Sequence, residues 1–297
     1  MTAGERPVWV DDELFPFDSR FVEIDGNVVH YVDEGSGPTL LMLHGNPTWS
    51  FLWRDVIRIL RGNFRCVALD YPGFGLSTAK PGYRFRPEEH ADVVAAFVEA
   101  LSIKSATLVA QDWGGPIGLG AERRHPGTFD RLVLADTWAW PTNGDFYFEA
   151  FSRIAGSYPL RALAHRFGLV VDLLVPAGHR RRAPTEAEMT HYRRAQDTPR
   201  RRRGSAILPR CITASREFFT AVESTLGDVS DLPTLILWGG ADRVFRDVER
   251  RRLEAALPHH RTVIVDGAGL YVASDAPDEF AAAIVEWSAE LGRVDPC

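Results

Sequence analysis

A candidate nucleophile, Asp112, lies in the segment AQDWGG at 110–115, between a predicted strand and a predicted helix. Small residues flank it, as a sharp strand-to-helix turn requires, because the backbone there passes close to itself. A carboxylate exposed at such an elbow can attack carbon directly and form an ester. The alternative interpretation makes Asp112 a simple N-cap of the helix, since aspartate is common at that position.

A second candidate loop, HGNPT at 44–48, comes directly after the predicted strand Thr39–Leu43. In folds with a nucleophile elbow, this loop faces the elbow and donates a backbone N–H to the developing oxyanion. Gly, Asn and Pro also favour an ordinary turn, which is the plainer interpretation. Two such loops after neighbouring strands indicate a catalytic site more strongly than either loop alone.

Two further carboxylates follow predicted strands. Asp242 lies in WGGAD at 238–242, where a hydrolase of this plan places the acid that orients its histidine. Asp136 follows the predicted strand Leu132–Ala135 and is the alternative acid, or else a residue that caps the next loop. The chain order nucleophile, acid, histidine also requires a histidine after the last strand.

Short apolar strands alternate with helical segments along the chain, apart from one long interruption. The predicted strands are 21–24, 28–32, 39–43, 66–69, 106–110, 132–135, 235–237 and 262–265. The predicted helices outside the interruption are 52–60, 87–101, 115–125, 248–256 and 278–291. This alternation predicts an α/β protein with a mostly parallel sheet that is covered by helices on both faces. Its ligand site should lie at the carboxyl ends of the strands.

The interruption, from about 141 to 227, is helical and rich in arginine and proline. We therefore predict one α/β core domain, 1–140 and 228–297, with a helical cap, 141–227, inserted after the sixth strand. Between Arg153 and Arg216 there are fourteen arginines and four acidic residues. Because no aromatic residues alternate with the arginine run, a solvated helical surface is a better interpretation than a nucleic-acid site.

Composition excludes several classes of protein. The chain has 297 residues, of which 45% are hydrophobic and 25% charged, and a formal net charge of −6, which is typical of a globular protein with a sizeable core. No run of about 20 apolar residues is present to span a bilayer, and the acidic first segment lacks the apolar stretch of a signal peptide. Cys66, Cys211 and Cys297 are widely spaced and form no metal-ligand pattern. We expect a cytoplasmic protein without a metal or organic cofactor and without a nucleic-acid or membrane partner.

Five segments carry a resemblance to a known family. They are HGNPTWSFLWR at 44–54, DYPGFGLS at 70–77, QDWGGPIGL at 111–119, WGGADRV at 238–244 and GAGLYVASDAP at 267–277. On these segments the chain resembles the haloalkane dehalogenases of the α/β-hydrolase superfamily, from about residue 20 to the C-terminus. The resemblance implies the α/β-hydrolase fold with an eight-stranded, mostly parallel sheet, a small apolar halogenated substrate and a halide product.

The resemblance also implies roles for single residues. Asp112 matches the nucleophile of the family, Asp242 matches the acid in subgroups that place it after this strand, and Asn46 and Trp113 match the halide-stabilising pair. An indole N–H and a carboxamide NH₂ are neutral donors, which can stabilise a leaving halide without pairing with Asp112. The predicted cap contains no tryptophan, which favours the Asn-plus-Trp subgroup. Some members of the family keep their acid at the position of Asp136.

One residue departs from the family pattern. The family has Gly-Ala-Gly-His after the last strand, whereas this chain has GAGL at 267–270, so Leu270 occupies the position of the catalytic base. His259 and His260 precede the last strand, roughly 16 Å away by strand length, and His44 belongs to the oxyanion loop. The other histidines lie in segments without a site motif and are His30, His90, His125, His165, His179 and His191. We find no substitute base in the sequence.

The missing base divides the expected mechanism into two steps. Attack by Asp112 on the halogen-bearing carbon moves no proton, but hydrolysis of the resulting ester requires deprotonation of water. We therefore expect an enzyme that alkylates itself and then stalls. Without an imidazole between them, Asp112 and Asp242 should repel each other, so either takes up a proton more readily. Whether Leu270 is an engineered or a natural substitution is left open by the sequence.

Three other functions fit parts of the pattern. An epoxide hydrolase is the nearest enzymatic alternative, because the predicted cap offers Tyr147, Tyr158 and Tyr192 to protonate an epoxide oxygen. A coelenterazine-type luciferase shares similar motifs. A non-catalytic relative that keeps the pocket as a ligand receptor would account for Leu270.

Overall fold

The structure is a computed structural model that describes residues 4–294, and an eight-stranded sheet forms its centre. The strands are β1 (Arg20–Ile24), β2 (Asn27–Glu34), β3 (Thr39–Leu43), β4 (Arg65–Leu69), β5 (Ala106–Gln111), β6 (Phe129–Ala135), β7 (Thr234–Gly239) and β8 (His260–Val265). Their order across the sheet is β1-β2-β4-β3-β5-β6-β7-β8. The prediction of an eight-stranded, mostly parallel sheet is confirmed. Cys297, which the sequence analysis considered, lies outside the described residues.

The antiparallel part of the sheet is confined to one side. β1 and β2 form a hairpin, and β2 pairs antiparallel with β4. The hairpin turns at Asp25 and Gly26, which both have positive φ, as a two-residue turn matched to the strand twist requires. From β4 to β8 every pairing is parallel. β3, β5 and β7 are largely apolar and buried along nearly their whole length, as strands covered on both faces must be.

The described part of the chain contains twelve α-helices. They are α1 (Arg54–Leu60), α2 (Pro87–Ala100), α3 (Gly114–Arg124), α4 (Phe146–Ala155), α5 (Tyr158–Phe167), α6 (Leu169–Gly178), α7 (Glu186–Ala195), α8 (Arg203–Ala214), α9 (Arg216–Asp228), α10 (Asp247–Ala256), α11 (Val272–Asp275) and α12 (Pro277–Val294). α2 packs against α3, and α1 packs against α12. Within 4–294, no helix has the length and apolar character needed to cross a bilayer.

Helices α4–α9 lie between β6 and β7 and form a helical insertion, residues 146–228. They occur where the sequence predicts a helical segment, and each is short, with ten to thirteen residues. Because the parallel strands end at one edge of the sheet, the loops that follow β3, β5, β6, β7 and β8 lie close together. The predicted site residues are in these loops.

A buried charge cluster joins the helical insertion to the core. Glu188 in α7 accepts hydrogen bonds from the guanidinium groups of Arg54, at the start of α1, and Arg182. Arg54 is only 2% exposed. Burial alone would raise the pKa of Glu188, but the hydrogen bonds from Arg182 and the charge of Arg54 lower it to about 2.

Replacing Glu188 with alanine is expected to lower the free energy of unfolding by about 3 kcal/mol, because the buried Arg54 then keeps only the half-buried Asp55 as an acidic partner. Since folding lowers the pKa of Glu188, its contribution is complete above the ordinary glutamate pKa and decreases as the pH falls toward 2. Urea unfolding near neutral pH and near pH 3 measures both effects. The exposed Glu186, on the same helix, provides the control: Glu186→Ala should cost less than about 1 kcal/mol. Equal losses in the two variants would contradict this role for Glu188.

Candidate active site

Asp112 lies in a sharp turn between β5 and α3. Its φ is +52°, a left-handed conformation that non-glycine residues adopt at a cost and that is concentrated at functional sites. Its carboxylate Oδ2 accepts a hydrogen bond from the backbone N–H of Asn46 at 2.8 Å, and the backbone N–H of Trp113 also donates to it. The N-cap of α3 is Trp113 rather than Asp112. The geometry is that of an elbow whose carboxylate meets the loop after β3.

Two glycines allow the elbow to form. A Cβ atom on Gly45 would lie 2.4 Å from Asp112 Oδ2, and one on Gly114 would lie 2.1 Å from the carbonyl oxygen of Leu43. Both distances are shorter than a side chain permits, so the backbone of the elbow and that of the β3 loop can approach only because these positions have no Cβ. The small residues that flank Asp112 in the sequence therefore have the predicted steric role.

The Asp112 carboxylate borders a cavity of about 230 Å³. Aromatic and aliphatic side chains form most of its wall, including Trp138, Phe148, Phe151, Leu174, Ile212 and Phe245. Trp138 contacts Trp113 edge-on, with ring centroids 5.0 Å apart, and stacks near Phe245 at 5.4 Å. A cavity of this size and lining admits a small apolar molecule and excludes most of the surrounding water.

Asn46 and Trp113 both line this cavity and are nearly buried, at 6% and 3% exposed. The carboxamide Nδ2 of Asn46 donates to the carbonyl oxygen of Ser205 at 3.3 Å, and its Oδ1 has no partner among the described residues. Trp138 adds a second indole to the wall, and its Nε1 is also buried without a partner in the described chain. Residues with neutral N–H donors thus contribute to the wall of the cavity that Asp112 borders.

Asp242 borders the same cavity as Asp112. Its carboxylate accepts hydrogen bonds from the backbone N–H groups of Val244 at 2.7 Å and Phe245 at 3.1 Å. Burial raises the pKa of Asp242 to about 6, although these hydrogen bonds and the charge of Arg180 oppose the increase. Burial likewise raises the pKa of Asp112 to about 7, with a smaller increase from the charge of Asp242. Both carboxyl groups therefore take up protons more readily than ordinary aspartates. The sequence analysis expected this direction from mutual repulsion, but burial is the main cause for both groups.

Asp136 is fully buried and does not line the cavity. Its Oδ1 accepts a hydrogen bond from the backbone N–H of Gly239 at 3.0 Å. Burial and the charge of the neighbouring Asp242 raise the pKa of Asp136 well above its usual range, so Asp136 takes up a proton far more readily than an ordinary aspartate. The two candidate acids thus lie close together as a pair, with Asp242 on the cavity side.

Leu270 lines the cavity together with Asp112 and Asp242 and is 7% exposed. Its carbonyl oxygen accepts a hydrogen bond from Gln111 Nε2 at 2.7 Å. The backbone at this position is therefore tied to the residue that precedes Asp112. The position that the resemblance gives to a base thus borders the same cavity as Asp112 and Asp242, but its side chain is apolar.

No histidine is among the described residues that line the cavity. His30 pairs with Asp70, and His191 accepts a hydrogen bond from the backbone of Asp11. Burial lowers the pKa of His44 to about 4 and that of His90 to about 3. His260 begins β8, at the end of the strand opposite the site. His179, between two residues that line the cavity, is held through both ring nitrogens by the carbonyl oxygen of Val175 and the hydroxyl of Ser274. These histidines are held in structural contacts or lie elsewhere, so none of them is positioned to replace a base at 270.

The structure also brings residues to the cavity that sequence reasoning missed. Tyr271 lines it and donates from its hydroxyl to the carbonyl oxygen of Asn46 at 3.4 Å; its position directly after Leu270 was the available signal. Arg180 and Arg243 also line it. Of the three tyrosines considered for epoxide opening, only Tyr147 reaches the cavity, while Tyr158 is 79% exposed and Tyr192 is buried elsewhere.

Known proteins match this chain over nearly its full length. A family model described as alpha/beta hydrolase fold matches residues 38–277. Haloalkane dehalogenase 2 of Mycobacterium tuberculosis is 42% identical over 281 residues, which cover 93% of this chain and 96% of that protein. The cis-3-alkyl-4-alkyloxetan-2-one decarboxylase of Shewanella oneidensis is 29% identical, covering 90% of this chain and 87% of that protein.

A solved structure agrees with these sequence matches. The crystal structure of a putative ancestral haloalkane dehalogenase has a TM-score of 0.85 and 26% sequence identity, and the match covers 93% of this chain and 100% of that chain. The elbow, the apolar cavity at the carboxyl ends of the strands and the full-length match to a dehalogenase all agree. The chain belongs to the haloalkane dehalogenase family, within the α/β-hydrolase fold.

Proposed function

We propose that the protein cleaves the carbon–halogen bond of small apolar haloalkanes by attack of Asp112, and that the resulting alkyl ester of Asp112 then persists. The observation that supports this most directly is the Asp112 carboxylate at the elbow, bordering an apolar cavity together with Asn46 and Trp113. The helical insertion closes the cavity as a cap, with Phe148, Phe151 and Leu174 among its contributions to the wall.

In the first step, Asp112 Oδ attacks the carbon that bears the halogen, and the halide leaves with the bonding electrons. Asn46 and Trp113 stabilise the halide as neutral donors, and the surrounding apolar wall strengthens these hydrogen bonds by excluding water. After alkylation, the backbone N–H groups of Asn46 and Trp113 remain directed at the ester oxygen. They would stabilise an oxyanion formed on it.

In the second step, water must attack the ester carbonyl, and a base must accept its proton. Leu270 cannot accept a proton. General-base assistance is worth about 10²- to 10⁴-fold, so hydrolysis should be slower by a factor of this order. The Asp112 ester therefore accumulates.

Intact-protein mass after incubation with a simple bromoalkane tests the proposed function. We expect the mass to increase by one alkyl group, located on the peptide that contains Asp112, with about one bromide released per chain. An unchanged mass with continuous alcohol release would mean that a base exists and that the proposed stall is wrong. An unchanged mass without bromide would favour a non-catalytic receptor or, if a styrene-type epoxide is opened, an epoxide hydrolase.

The rate of alkylation should depend on pH through the ionisation of Asp112. Because burial raises the pKa of Asp112 to about 7, only the ionised fraction attacks, and the rate should fall about tenfold per pH unit below 7 and reach a plateau above it. Adduct formation at short times, followed by mass between pH 5 and pH 9, measures this profile. A rate that is constant down to pH 5 would show that the carboxylate ionises normally.

A second candidate function, opening of a β-lactone followed by decarboxylation, is favoured by Leu270, because it needs no base. Asp112 would attack the saturated ring carbon that is bonded to the ring oxygen, not the carbonyl carbon, and the electrons of the broken C–O bond would pass to a released carboxylate. The bond to the carboxylate would then break with loss of CO₂, its electrons would form an alkene, and the ester C–O bond would return its electrons to Asp112. No water or proton is consumed.

A cis-3,4-dialkyl β-lactone distinguishes the two functions. Alkene and CO₂ formed over many turnovers, with no persistent adduct, would identify decarboxylation as the reaction of this site. If the protein is alkylated by a bromoalkane but leaves the lactone intact, the site is restricted to halogenated substrates.

A further inference from the structure

Two arginines lie at the mouth of the cavity. Arg180 follows α6 in the helical insertion, and Arg243 follows Asp242 in the loop after β7. Both line the cavity and are exposed to solvent. Tyr147 connects the two sides of the mouth, since its hydroxyl donates to the carbonyl oxygen of Arg243 at 2.9 Å. A cavity with otherwise apolar walls thus opens between two cationic side chains.

Arg180 differs from the two arginines that follow it. Arg181 is paired with Glu279, and Arg182 is paired with Glu188. Within the described chain, the guanidinium groups of Arg180 and Arg243 have no hydrogen bond to a carboxylate and no ion pair, although the charge of Arg180 is near enough to Asp242 to lower the pKa of that carboxyl group. Unlike Arg181 and Arg182, these two arginines therefore keep N–H donors that can bind a further anion.

The backbone that carries Arg180 is firmly held. Asp275, which is 5% exposed, accepts hydrogen bonds from the backbone N–H groups of Arg180 at 2.8 Å, Arg181 at 3.0 Å and Arg182 at 3.2 Å. The same carboxylate accepts from the N–H of Gly269 at 2.9 Å. Arg180 is consequently fixed beside the residue-270 segment of the site, and only its side chain is free to move.

We propose that Arg180, assisted by Arg243, binds a carboxylate on the far end of a substrate, so that ω-halocarboxylates react faster than neutral haloalkanes of the same length. The halogen-bearing carbon lies at Asp112, the methylene chain fills the apolar cavity, and the carboxylate reaches the mouth. A guanidinium donates two parallel hydrogen bonds to a carboxylate, which fixes the orientation of the chain. This inference rests on the proposed alkylation of Asp112.

The test compares two probes of the same length, ω-bromohexanoate and ω-bromohexanamide, which differ in charge but closely resemble each other in shape. The second-order rate constant for alkylation of Asp112 is measured with each probe by intact-protein mass. We expect the acid to react about tenfold faster than the amide, as a charged hydrogen-bonded pair at a partly solvated site allows. Raising the salt concentration should reduce the preference, because it screens exposed charges.

Three variants locate the effect. Arg180→Met should remove the preference, so that the ratio of the acid rate to the amide rate falls to about one, and thermal unfolding of the variant shows that it is folded. Arg180→Lys should retain part of the preference. Arg153→Met, on an exposed arginine of α4 outside the cavity lining, should leave the ratio unchanged and controls for net charge.

The outcomes separate the two claims. If the amide alkylates Asp112 but the acid has no advantage, or if Arg180→Met keeps the advantage, the carboxylate subsite is wrong and the proposed function stands. If neither probe alkylates Asp112, the proposed function fails and the subsite fails with it.

Discussion

On the proposed mechanism, replacing Leu270 with histidine is expected to allow repeated turnover in place of a single alkylation. The imidazole would accept a proton from the hydrolytic water, and Asp242 would hold the resulting imidazolium on the cavity side of the carboxyl pair. The expected acceleration of ester hydrolysis is about 10²- to 10⁴-fold. Alcohol released per enzyme, together with decay of the mass adduct, measures it.

The local structure is suited to this substitution. Leu270 already borders the cavity with Asp112 and Asp242, and its carbonyl is held by Gln111, so a histidine there inherits the backbone position. An imidazolium between the two carboxylates would also lower the pKa of Asp112, which burial and Asp242 now raise to about 7. Alkylation should then proceed at lower pH.

Leu270→Asn is the matched control for this experiment, since it adds polarity but no group that accepts a proton near neutral pH. It should leave the adduct about as persistent as in the parent. If Leu270→His still released no alcohol while the adduct formed normally, the position would not be that of the base. A Leu270→Asn variant with full turnover would instead indicate that water access, not a base, limits hydrolysis.

Asp112→Asn is expected to abolish both the mass adduct and halide release. A carboxamide lacks the negative charge that the displacement requires, while its shape preserves the hydrogen bond from the Asn46 backbone and the packing against Gly45. No alkyl adduct should therefore be detectable by intact-protein mass. Thermal unfolding of the variant shows that the fold survives.

Asp136→Asn is the comparison for Asp112→Asn, because it removes another deeply buried carboxyl group that does not border the cavity. Alkylation should persist in it. An Asp112→Asn protein that still acquired one alkyl group would place the nucleophile elsewhere. Loss of alkylation in both variants would mean that the Asp136–Asp242 pair takes part in the first step.

The sheet was predictable because its strands are short, apolar and buried. The predicted strand 39–43 coincides with β3, whose residues are buried on both faces. β6 begins at Phe129, earlier than predicted, because the polar Asp130 and Arg131 interrupt its apolar pattern. β8 begins at His260, also earlier than predicted; it is an edge strand that tolerates polar residues on exposed positions.

The individual helices of the insertion were harder to predict from the sequence. Pro176 and Pro209 lie inside α6 and α8, although proline normally ends a helix, so periodicity could not divide the segment into its six helices. At the start of the chain's first predicted helix, residues 50–53 form a 3-10 helix instead of α-helix.

The site was predictable only where it follows strands. Asp112, Asp242 and Leu270 each come after a strand whose carboxyl end must lie at the same edge, so their proximity follows from the topology. Arg180 belongs to the helical insertion, and its run of arginines was interpreted as a solvated surface. Its place at the cavity depends on the backbone hydrogen bonds to Asp275, which no pattern in the sequence predicts.

The carboxylate of Asp275 also limits how the protein can open. Because it binds the backbone of 180–182 and of Gly269 together, hinging the helical insertion away at this point would displace the residue-270 segment with it. Substrate admission and halide departure should therefore proceed by rotation of side chains at the mouth, such as Tyr147 and Arg180. The consequence is a cavity whose backbone stays assembled throughout and whose entrance opens by side-chain rotation rather than by a hinged lid.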